Sequence, residues 1–197
     1  MITNSIPHAD AFRAGQAAGL NHRKVGMWLF ISSEVMFFGG LIAAYLHYKV
    51  RAATLPLSTD SLLLVGGNTF VLLASSLMVV LALAGIRAGR PRRLQVFLGA
   101  TILLGVVFLG GQAYEFSQLA RQGFTLTGSV LGSSFFTLTG FHGLHVLIGV
   151  AWAAALLLGA IRGRYSAQES LGIEVFGLYW HFVDIVWIVL FTIIYLI

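Results

Sequence analysis

The sequence has no cysteine, only three prolines and few charged residues. The absence of cysteine excludes disulfides, thiolate metal sites and cysteine nucleophiles. Charged residues make up 10% of the 197 residues, whereas ordinary soluble domains carry about a quarter. Hydrophobic residues make up 58% of the chain. This composition excludes a typical soluble globular protein and indicates one that crosses a membrane several times.

The basic residues predict membrane topology and not a nucleic-acid partner. The formal net charge is +5, but these residues lie in short connections between apolar runs. Such placement is typical of loops that set the orientation of a membrane protein. Residues 1–25 hold polar and charged residues without a separate apolar segment, so no cleavable signal sequence is expected.

Apolar runs of about 20 residues, the length that crosses a bilayer as a helix, occur five times along the chain. The runs are continuous and do not alternate with a period of two, which favours helices over a β-barrel. The sequence therefore predicts an all-α, polytopic bundle of five transmembrane helices. We expect a cytoplasmic N-terminal segment, 1–25, and a single membrane domain, 26–197, with helices at about 26–48, 61–86, 94–114, 129–161 and 171–197.

Basic residues are distributed unevenly between the two sets of connections. With the N-terminus inside, nine of the twelve Lys and Arg residues lie on the cytoplasmic side: Arg13, Arg23, Lys24, Arg87, Arg90, Arg92, Arg93, Arg162 and Arg164. The outer side holds Lys49, Arg51 and Arg121. This positive-inside bias and the odd number of spans predict that the C-terminus faces outward.

Small residues recur at one-turn spacing within the spans. Gly39 precedes Ala43, Gly40 precedes Ala44, and Gly149 precedes Ala153. Faces of this kind let helix backbones approach closely. We interpret them first as packing within the bundle, and otherwise as contacts with another subunit or a lipid.

Five ionisable side chains are expected near the middle of the membrane. At about 1.5 Å per residue, Glu34 lies about 12 Å from the inner end of the first helix and His181 about 15 Å into the last. His142 and His145 share a face of the fourth helix, and His181 and Asp184 share a face of the fifth. Each group would cost about 2–4 kcal/mol without a partner, so each needs a buried partner, a proton path, a ligand or a lipid.

Several chemistries are compatible with these groups. His142 or His145 facing His181 would suit a bis-histidine haem, and Glu34, His181 and Asp184 would suit a proton relay. A histidine–carboxylate metal site would lack diagnostic spacing, and a serine nucleophile has only Ser133 and Ser134 as weak candidates. Alternatively, the polar groups hydrogen-bond across helices and hold the bundle together.

Polar or aromatic groups nearer the helix ends are candidates for other contacts. Glu115 and His47 lie near the outer ends of the third and first spans. Trp28 suits an anchor at the inner headgroups. Trp187 lies deeper, where stacking or lipid contact is expected.

Four segments in order give the chain a resemblance to subunit III of the haem-copper terminal oxidases, the cytochrome c oxidase family. They are Trp28-Leu-Phe-Ile-Ser-Ser-Glu-Val-Met-Phe-Phe38, Gly111-Gln-Ala-Tyr-Glu-Phe116, Gly140-Phe-His-Gly-Leu-His-Val146 and Tyr179-Trp-His-Phe-Val-Asp-Ile-Val-Trp187. They extend over nearly the whole chain, from about residue 22 to the C-terminus. The chain lacks the first two helices of the seven-helix members and fits a bacterial five-helix form.

The resemblance implies an accessory subunit of a proton-pumping oxidase in the bacterial plasma membrane. Such a subunit packs beside subunit I, with subunit II and further subunits as other partners, and holds no haem or copper of its own. It binds phospholipid and supports proton uptake and turnover. Glu34 matches the family's carbodiimide-reactive glutamate. The candidates for lipid or proton support are Glu34, Glu115, His142, His145, His181, Asp184 and Trp187.

Three alternatives remain open at the level of the sequence. The quinol oxidases have a similar five-helix subunit III, although the Ser-Glu-Val and Gly-Phe-His segments resemble the cytochrome c branch more. A haem-bearing membrane cytochrome would use His142 or His145 with His181, and the isolated chain would then show Soret absorption. A stand-alone proton or ion carrier is less favoured because the sequence has no internal repeat.

Overall fold

The computed structural model describes residues 22–50 and 59–197. This part of the chain is helical throughout its regular structure, without a strand. We number the five α-helices in chain order as α1 (His22–Lys49), α2 (Thr59–Arg87), α3 (Pro91–Arg121), α4 (Val130–Ile161) and α5 (Leu171–Phe191). A short π-helical turn, Thr192–Leu196, follows α5 directly.

Five helices in the described residues are long and apolar enough to cross a membrane. The prediction of five spans is therefore confirmed, and the chain is a multi-pass membrane protein. Most of the predicted cytoplasmic segment, 1–25, lies outside the described residues. The single-domain division and the orientation of the termini stay predictions.

The third helix is longer than its apolar run. The sequence predicts an end near Tyr114, but α3 continues to Arg121. Glu115 and Leu119 are buried in this last part, while the Gln118 side-chain amide donates to the Tyr114 hydroxyl at 2.8 Å. The helix continues because its last two turns still bury one face.

Glycines and caps mark the helix ends. Gly89, with φ of 67°, makes the tight turn after α2, and Pro91 begins α3 where its missing N–H costs nothing. Gly163, with φ of 70°, follows α4. At the start of α4, the Ser129 hydroxyl accepts a hydrogen bond from the Gly132 N–H at 3.0 Å, which satisfies one of the free donors of the first turn.

The fifth helix lies at the centre of the bundle. It packs against α1, α2 and α4, and α3 completes the bundle by packing against α2 and α4. Helices α1 and α2 flank α5 without packing closely against each other. As a result α5 is buried on most of its surface and positions most of the polar groups considered below.

Ionic contacts tie three helices together at one end of the bundle. Glu174 of α5 accepts from Lys24 of α1 at 2.5 Å and from Arg87 of α2 at 3.0 Å. We call this the basic end, and the opposite end, marked by Glu115 and Tyr195, the far end. These partly exposed pairs each contribute little free energy, but they link α1 to α2 through α5.

The predicted topology is testable at both ends of the bundle. Because most basic residues lie at the basic end, we expect that end to face the cytoplasm and Ile197 to face outward. A reporter that is active only in the cytoplasm should be silent when fused after Ile197 and active when inserted after Arg90. Activity at Ile197 would contradict the orientation.

Candidate functional site within the membrane

Trp180 occupies the centre of the bundle because two glycines make room for it. A Cβ atom added at Gly149 of α4 would lie 2.5 Å from Trp180 Cζ3, and one added at Gly105 of α3 would lie 3.2 Å from Trp180 Cη2. The prediction of close packing is thus confirmed for Gly149. At Gly39 and Gly40 an added Cβ would meet nothing within 4 Å in the described residues, so the alternative of a contact with another subunit or a lipid stays open there. Those two glycines lie on the outer surface of α1 and not against the bundle.

Hydrogen bonds join α5 to α2 at two buried tryptophans. The Trp180 indole N–H donates to the Ser75 hydroxyl at 2.9 Å, and the Trp187 indole N–H donates to the Thr69 hydroxyl at 3.0 Å. Because α2 and α5 run antiparallel, successive turns of one helix meet successive turns of the other. These bonds satisfy the polar edges of two large side chains in a membrane interior.

Glu34 of α1 is paired with His145 of α4. The Glu34 Oε2 atom lies 3.2 Å from His145 Nε2, and the exposed fractions of the two side chains are 18% and 12%. The other ring nitrogen of His145 lies 2.7 Å from the carbonyl oxygen of Phe141. The Tyr179 hydroxyl donates to the His145 carbonyl at 2.8 Å. Glu34, the only acid predicted in the first span, therefore has its partner on another helix.

His142 has a different environment from His145, although both lie on one face of α4. Its ring stacks on the Trp187 ring, with centroids 4.9 Å apart, and meets the edge of Phe108. It is fully buried, and neither ring nitrogen has a hydrogen-bond partner in the described residues. Of the two roles predicted for Trp187, stacking is the one observed. Within the described residues, this imidazole is held by packing against aromatic rings and not by hydrogen bonds.

His181 and Asp184 of α5 face α2. The Ser76 hydroxyl lies 2.5 Å from His181 Nδ1. It also lies beside the Asp184 carboxyl, although neither Asp184 oxygen has a hydrogen bond of good geometry to a described residue. Asp184 is buried with 3% of its surface exposed. An isolated carboxylate in this place would be costly, so Asp184 needs a polar partner within the membrane.

A second polar cluster lies at the far end. The Tyr195 hydroxyl donates to Glu115 Oε1 at 2.5 Å, and both side chains are buried. Tyr45 of α1 is buried as well, and the Lys49 ammonium lies 5.8 Å from the centre of its ring. Lys49 also donates to the Ile193 carbonyl at 2.8 Å. Glu115 was predicted near a helix end, but no feature of the sequence indicated Tyr195 as its partner.

The hydroxyl groups of the two serines considered as nucleophiles are directed to backbone carbonyls. Ser133 donates to Leu126 and Ser129, and Ser134 donates to Leu131. In the described residues no three His, Asp or Glu side chains converge as metal ligands would. Trp28 is 57% exposed near the basic end, as an interfacial anchor would be.

Comparison with known proteins places this geometry in a family. The family model described as cytochrome c oxidase subunit III matches residues 10–197. The chain belongs to this family. It is a subunit III of the haem-copper oxidases, and membership implies partner subunits in a larger complex.

Relatives within the subunit III family differ in the oxidase type that their names give. The chain is 39% identical to cytochrome c oxidase subunit 3 of Bacillus subtilis, over 87% of this chain and 84% of the relative. It is 42% identical to the Synechocystis protein of the same name, over 88% and 75%. A probable quinol oxidase subunit 3 of Staphylococcus aureus is 37% identical over 88% of each chain. Both oxidase types therefore occur among the relatives.

We call the five ionisable residues expected near the middle of the membrane (Glu34, His142, His145, His181 and Asp184) the polar layer. For this member of the family, substitutions in the polar layer should leave the assembly largely intact. Hydrogen bonds between membrane helices average about 0.6 kcal/mol and reach about 1.7 kcal/mol. We therefore expect Glu34→Gln and Asp184→Asn to reduce the yield of assembled complex only slightly, as measured by co-purification of the partner subunits. Loss of haem in proportion to a His181→Ala substitution would contradict a supporting role and favour a haem ligand.

Proposed function

We propose that this chain is the non-catalytic subunit III of a proton-pumping cytochrome c oxidase in the bacterial plasma membrane. It packs beside subunit I of the complex, binds phospholipid, and sustains proton uptake during turnover. Haem and copper reside in the partner subunits. The electron donor and the supporting role go beyond family membership. Cytochrome c as the donor is supported by the Ser-Glu-Val and Gly-Phe-His segments and by relatives named cytochrome c oxidase subunit 3, and the supporting role by the contacts described next.

The Glu34–His145 pair is the observation that carries the proton role. A carboxylate and an imidazole 3.2 Å apart, each less than a fifth exposed, can hold and exchange one proton between them. The pair lies within two helices that are long and apolar enough to cross the membrane. Apolar side chains could pack these helices together equally well, so packing alone does not explain two ionisable groups here. We infer that Glu34 and His145 form a local proton store beside the partner that takes protons up.

Two apolar grooves on the surface of α4 support the lipid role. One, of about 230 Å³, lies between α1 and α4 and is lined by Leu41, Ala44, Tyr48, Val130, Ser133, Ser134 and Thr137. The other, of about 320 Å³, is lined by Leu126, Phe136, Thr137, Gly140, Phe141 and Leu144. Both are open and lined mainly by carbon, which suits acyl chains.

The contacts of the histidines favour the supporting role over a haem-bearing cytochrome. A bis-histidine haem needs two imidazole nitrogens free to face one iron atom. His145 has both ring nitrogens engaged, and His181 has one engaged with Ser76. The ring nitrogens of His142 have no hydrogen bond within the described residues, but its ring is fully buried between Trp187 and Phe108, which leaves no room for a porphyrin beside it.

Purification from native membranes tests the proposal. The tagged chain should bring down a haem-copper subunit I, and the purified complex should give a reduced-minus-oxidised spectrum of haem and oxidise reduced cytochrome c. The chain separated from its partners should show no Soret absorption. Oxidation of quinol but not of cytochrome c would move the chain to the quinol branch, and recovery without a haem-copper partner would overturn the proposal.

A further inference from the structure

Helix α5 is exposed along one narrow seam. Its outward residues are Leu178, His181, Ile185, Ile188 and Val189, which recur at the three- and four-residue spacing of one helix face. Ile185 is 60% exposed, whereas the neighbouring Val186 is 8% exposed. Burial therefore changes sharply around the helix. Within the seam Ile185, Ile188 and Val189 are exposed, whereas Leu178 and His181 are half-buried.

The seam is the floor of a groove between α1 and α2. On one side of it, Phe182 meets Phe38 of α1, with ring centroids 6.5 Å apart. On the other side, His181 meets Ser76 of α2. Since α1 and α2 pack against α5 but not closely against each other, the space above the seam is open to whatever lies beside the bundle. We call it the α1–α2 groove.

The basic end of the groove carries excess positive charge. Lys24 and Arg87 lie on its two walls and share the single carboxylate of Glu174 from the floor. Two cations against one anion leave a positive site that suits an anionic group on the occupant. A lipid phosphate and an acidic side chain would fit this charge equally well, so the charge alone does not identify the occupant.

His181 distinguishes a lipid from a protein helix as the occupant, because it lies on the groove floor within the membrane span. Only its Nδ1 atom has a hydrogen-bond partner among the described residues, the Ser76 hydroxyl. The Nε2 atom is a donor when Ser76 donates to Nδ1, and an acceptor when Nδ1 carries the proton. In either tautomer, an acyl chain offers it no hydrogen bond, whereas a polar side chain on a neighbouring helix does.

We propose that the α1–α2 groove is the seat of a transmembrane helix of another subunit of the oxidase. The helix is apolar where it meets Ile185 and Ile188, carries a hydrogen-bonding side chain opposite His181, and ends in an acidic residue near Lys24 and Arg87. A helix laid over α5, at the interaxial distance of about 8–10 Å that packed helices adopt, would lie between the two walls. This inference rests on the proposed oxidase assembly and names the surface that a partner occupies.

Photocrosslinking in the native complex identifies the occupant directly. The photoreactive residue p-benzoylphenylalanine is placed at the position of Ile185 in one variant and of Ile148 in a control. Ile148 is 49% exposed on α4, at a similar depth from the basic end. We expect Ile185 to give an adduct with a subunit polypeptide and Ile148 to give mainly phospholipid adducts, both identified by mass spectrometry.

The outcomes separate this inference from the proposed function. A phospholipid adduct at Ile185, or equal capture of polypeptide at both positions, would overturn the helix seat while the oxidase subunits still co-purify. Failure of any oxidase subunit to co-purify would instead overturn the proposed function.

Two variants test the hydrogen bond of His181. His181→Phe removes Nε2 but keeps a ring on the groove floor, and Ser76→Ala removes only the contact within the bundle. We expect His181→Phe to lower the yield of the Ile185 crosslink about threefold, the average effect of one hydrogen bond between membrane helices, and Ser76→Ala to lower it less. Equal yields from both variants would contradict the contact, and thermal unfolding of each chain would show whether the fold is kept.

Discussion

Removing this chain from the assembled oxidase is expected to preserve the metal centres and the initial activity but to shorten the working life of the enzyme. Proton uptake should become slower, most clearly at raised pH where free protons are scarce. The reason is that the chain supplies a Glu34–His145 pair within the membrane and a positively charged basic end. Both would influence the local field at the partner's proton entry. Oxygen consumption followed over many turnovers, with proton uptake recorded at several pH values, measures the effect.

The Glu34→Gln complex is the matched control because it keeps the whole chain in place. If the pair is the proton store, this complex should share the slow proton uptake of the subunit-free enzyme but retain more of its stability during turnover. An enzyme without the chain that equals the complete enzyme in both measurements would reduce the role to assembly or lipid packing.

Truncation of Trp180 should lower the free energy of unfolding more than any single substitution in the polar layer. Trp180 is fully buried, contacts both α3 and α4 at their glycines, and donates to Ser75 of α2. Large-to-small changes at buried Trp or Phe cost about 3–5 kcal/mol, so Trp180→Ala should lower the free energy of unfolding by this amount. Denaturation of the purified chain in detergent, followed by helix content, measures it.

Trp28→Ala is the control for the loss of an indole ring. Trp28 is 57% exposed at the surface of α1, and exposed substitutions usually change stability by within about 0.5 kcal/mol. A similar loss of stability in both variants would mean that the bundle does not depend on the contact of Trp180 with Gly105 and Gly149.

The five spans were predictable because hydropathy depends on composition over about 20 residues. The runs predicted at about 26–48 and 61–86 lie within the helices His22–Lys49 and Thr59–Arg87. The end of α3 was not predictable in the same way. Past Tyr114 the sequence becomes more polar, and the helix continues because Glu115 and Leu119 are buried and Glu115 accepts a hydrogen bond from Tyr195.

The polar layer was predictable as a set of residues but not as a set of pairs. Spacing along α4 placed His142 and His145 on one face, yet their rings go to different helices: His142 stacks on Trp187 of α5, and His145 pairs with Glu34 of α1. Which helix lies beside each ring depends on how the helices are rotated and ordered around α5. Periodicity within one helix carries no information on either.

The hydrogen-bond partners Ser76 and Tyr195 could not be predicted from the sequence for a related reason. A serine within an apolar run costs little, since its hydroxyl can bond to its own helix, so it gives no signal that a histidine depends on it. The structure shows both contacts: the Ser76 hydroxyl lies 2.5 Å from His181, and the Tyr195 hydroxyl lies 2.5 Å from Glu115.

In the π-helical turn at Thr192–Leu196, the position of the Tyr195 side chain depends on the number of residues as well as on their identity. The Ile197 N–H reaches back five residues to the Thr192 carbonyl at 3.1 Å, one residue more than in an α-helix. Each residue of an α-helix turns the chain by about 100°, so deleting one residue here would restore the regular helix and rotate the Tyr195 ring away from Glu115. A substitution of the exposed Leu196 would be tolerated, whereas a deletion or insertion of a single residue would separate Glu115 and Tyr195, which join α3 to the end of α5.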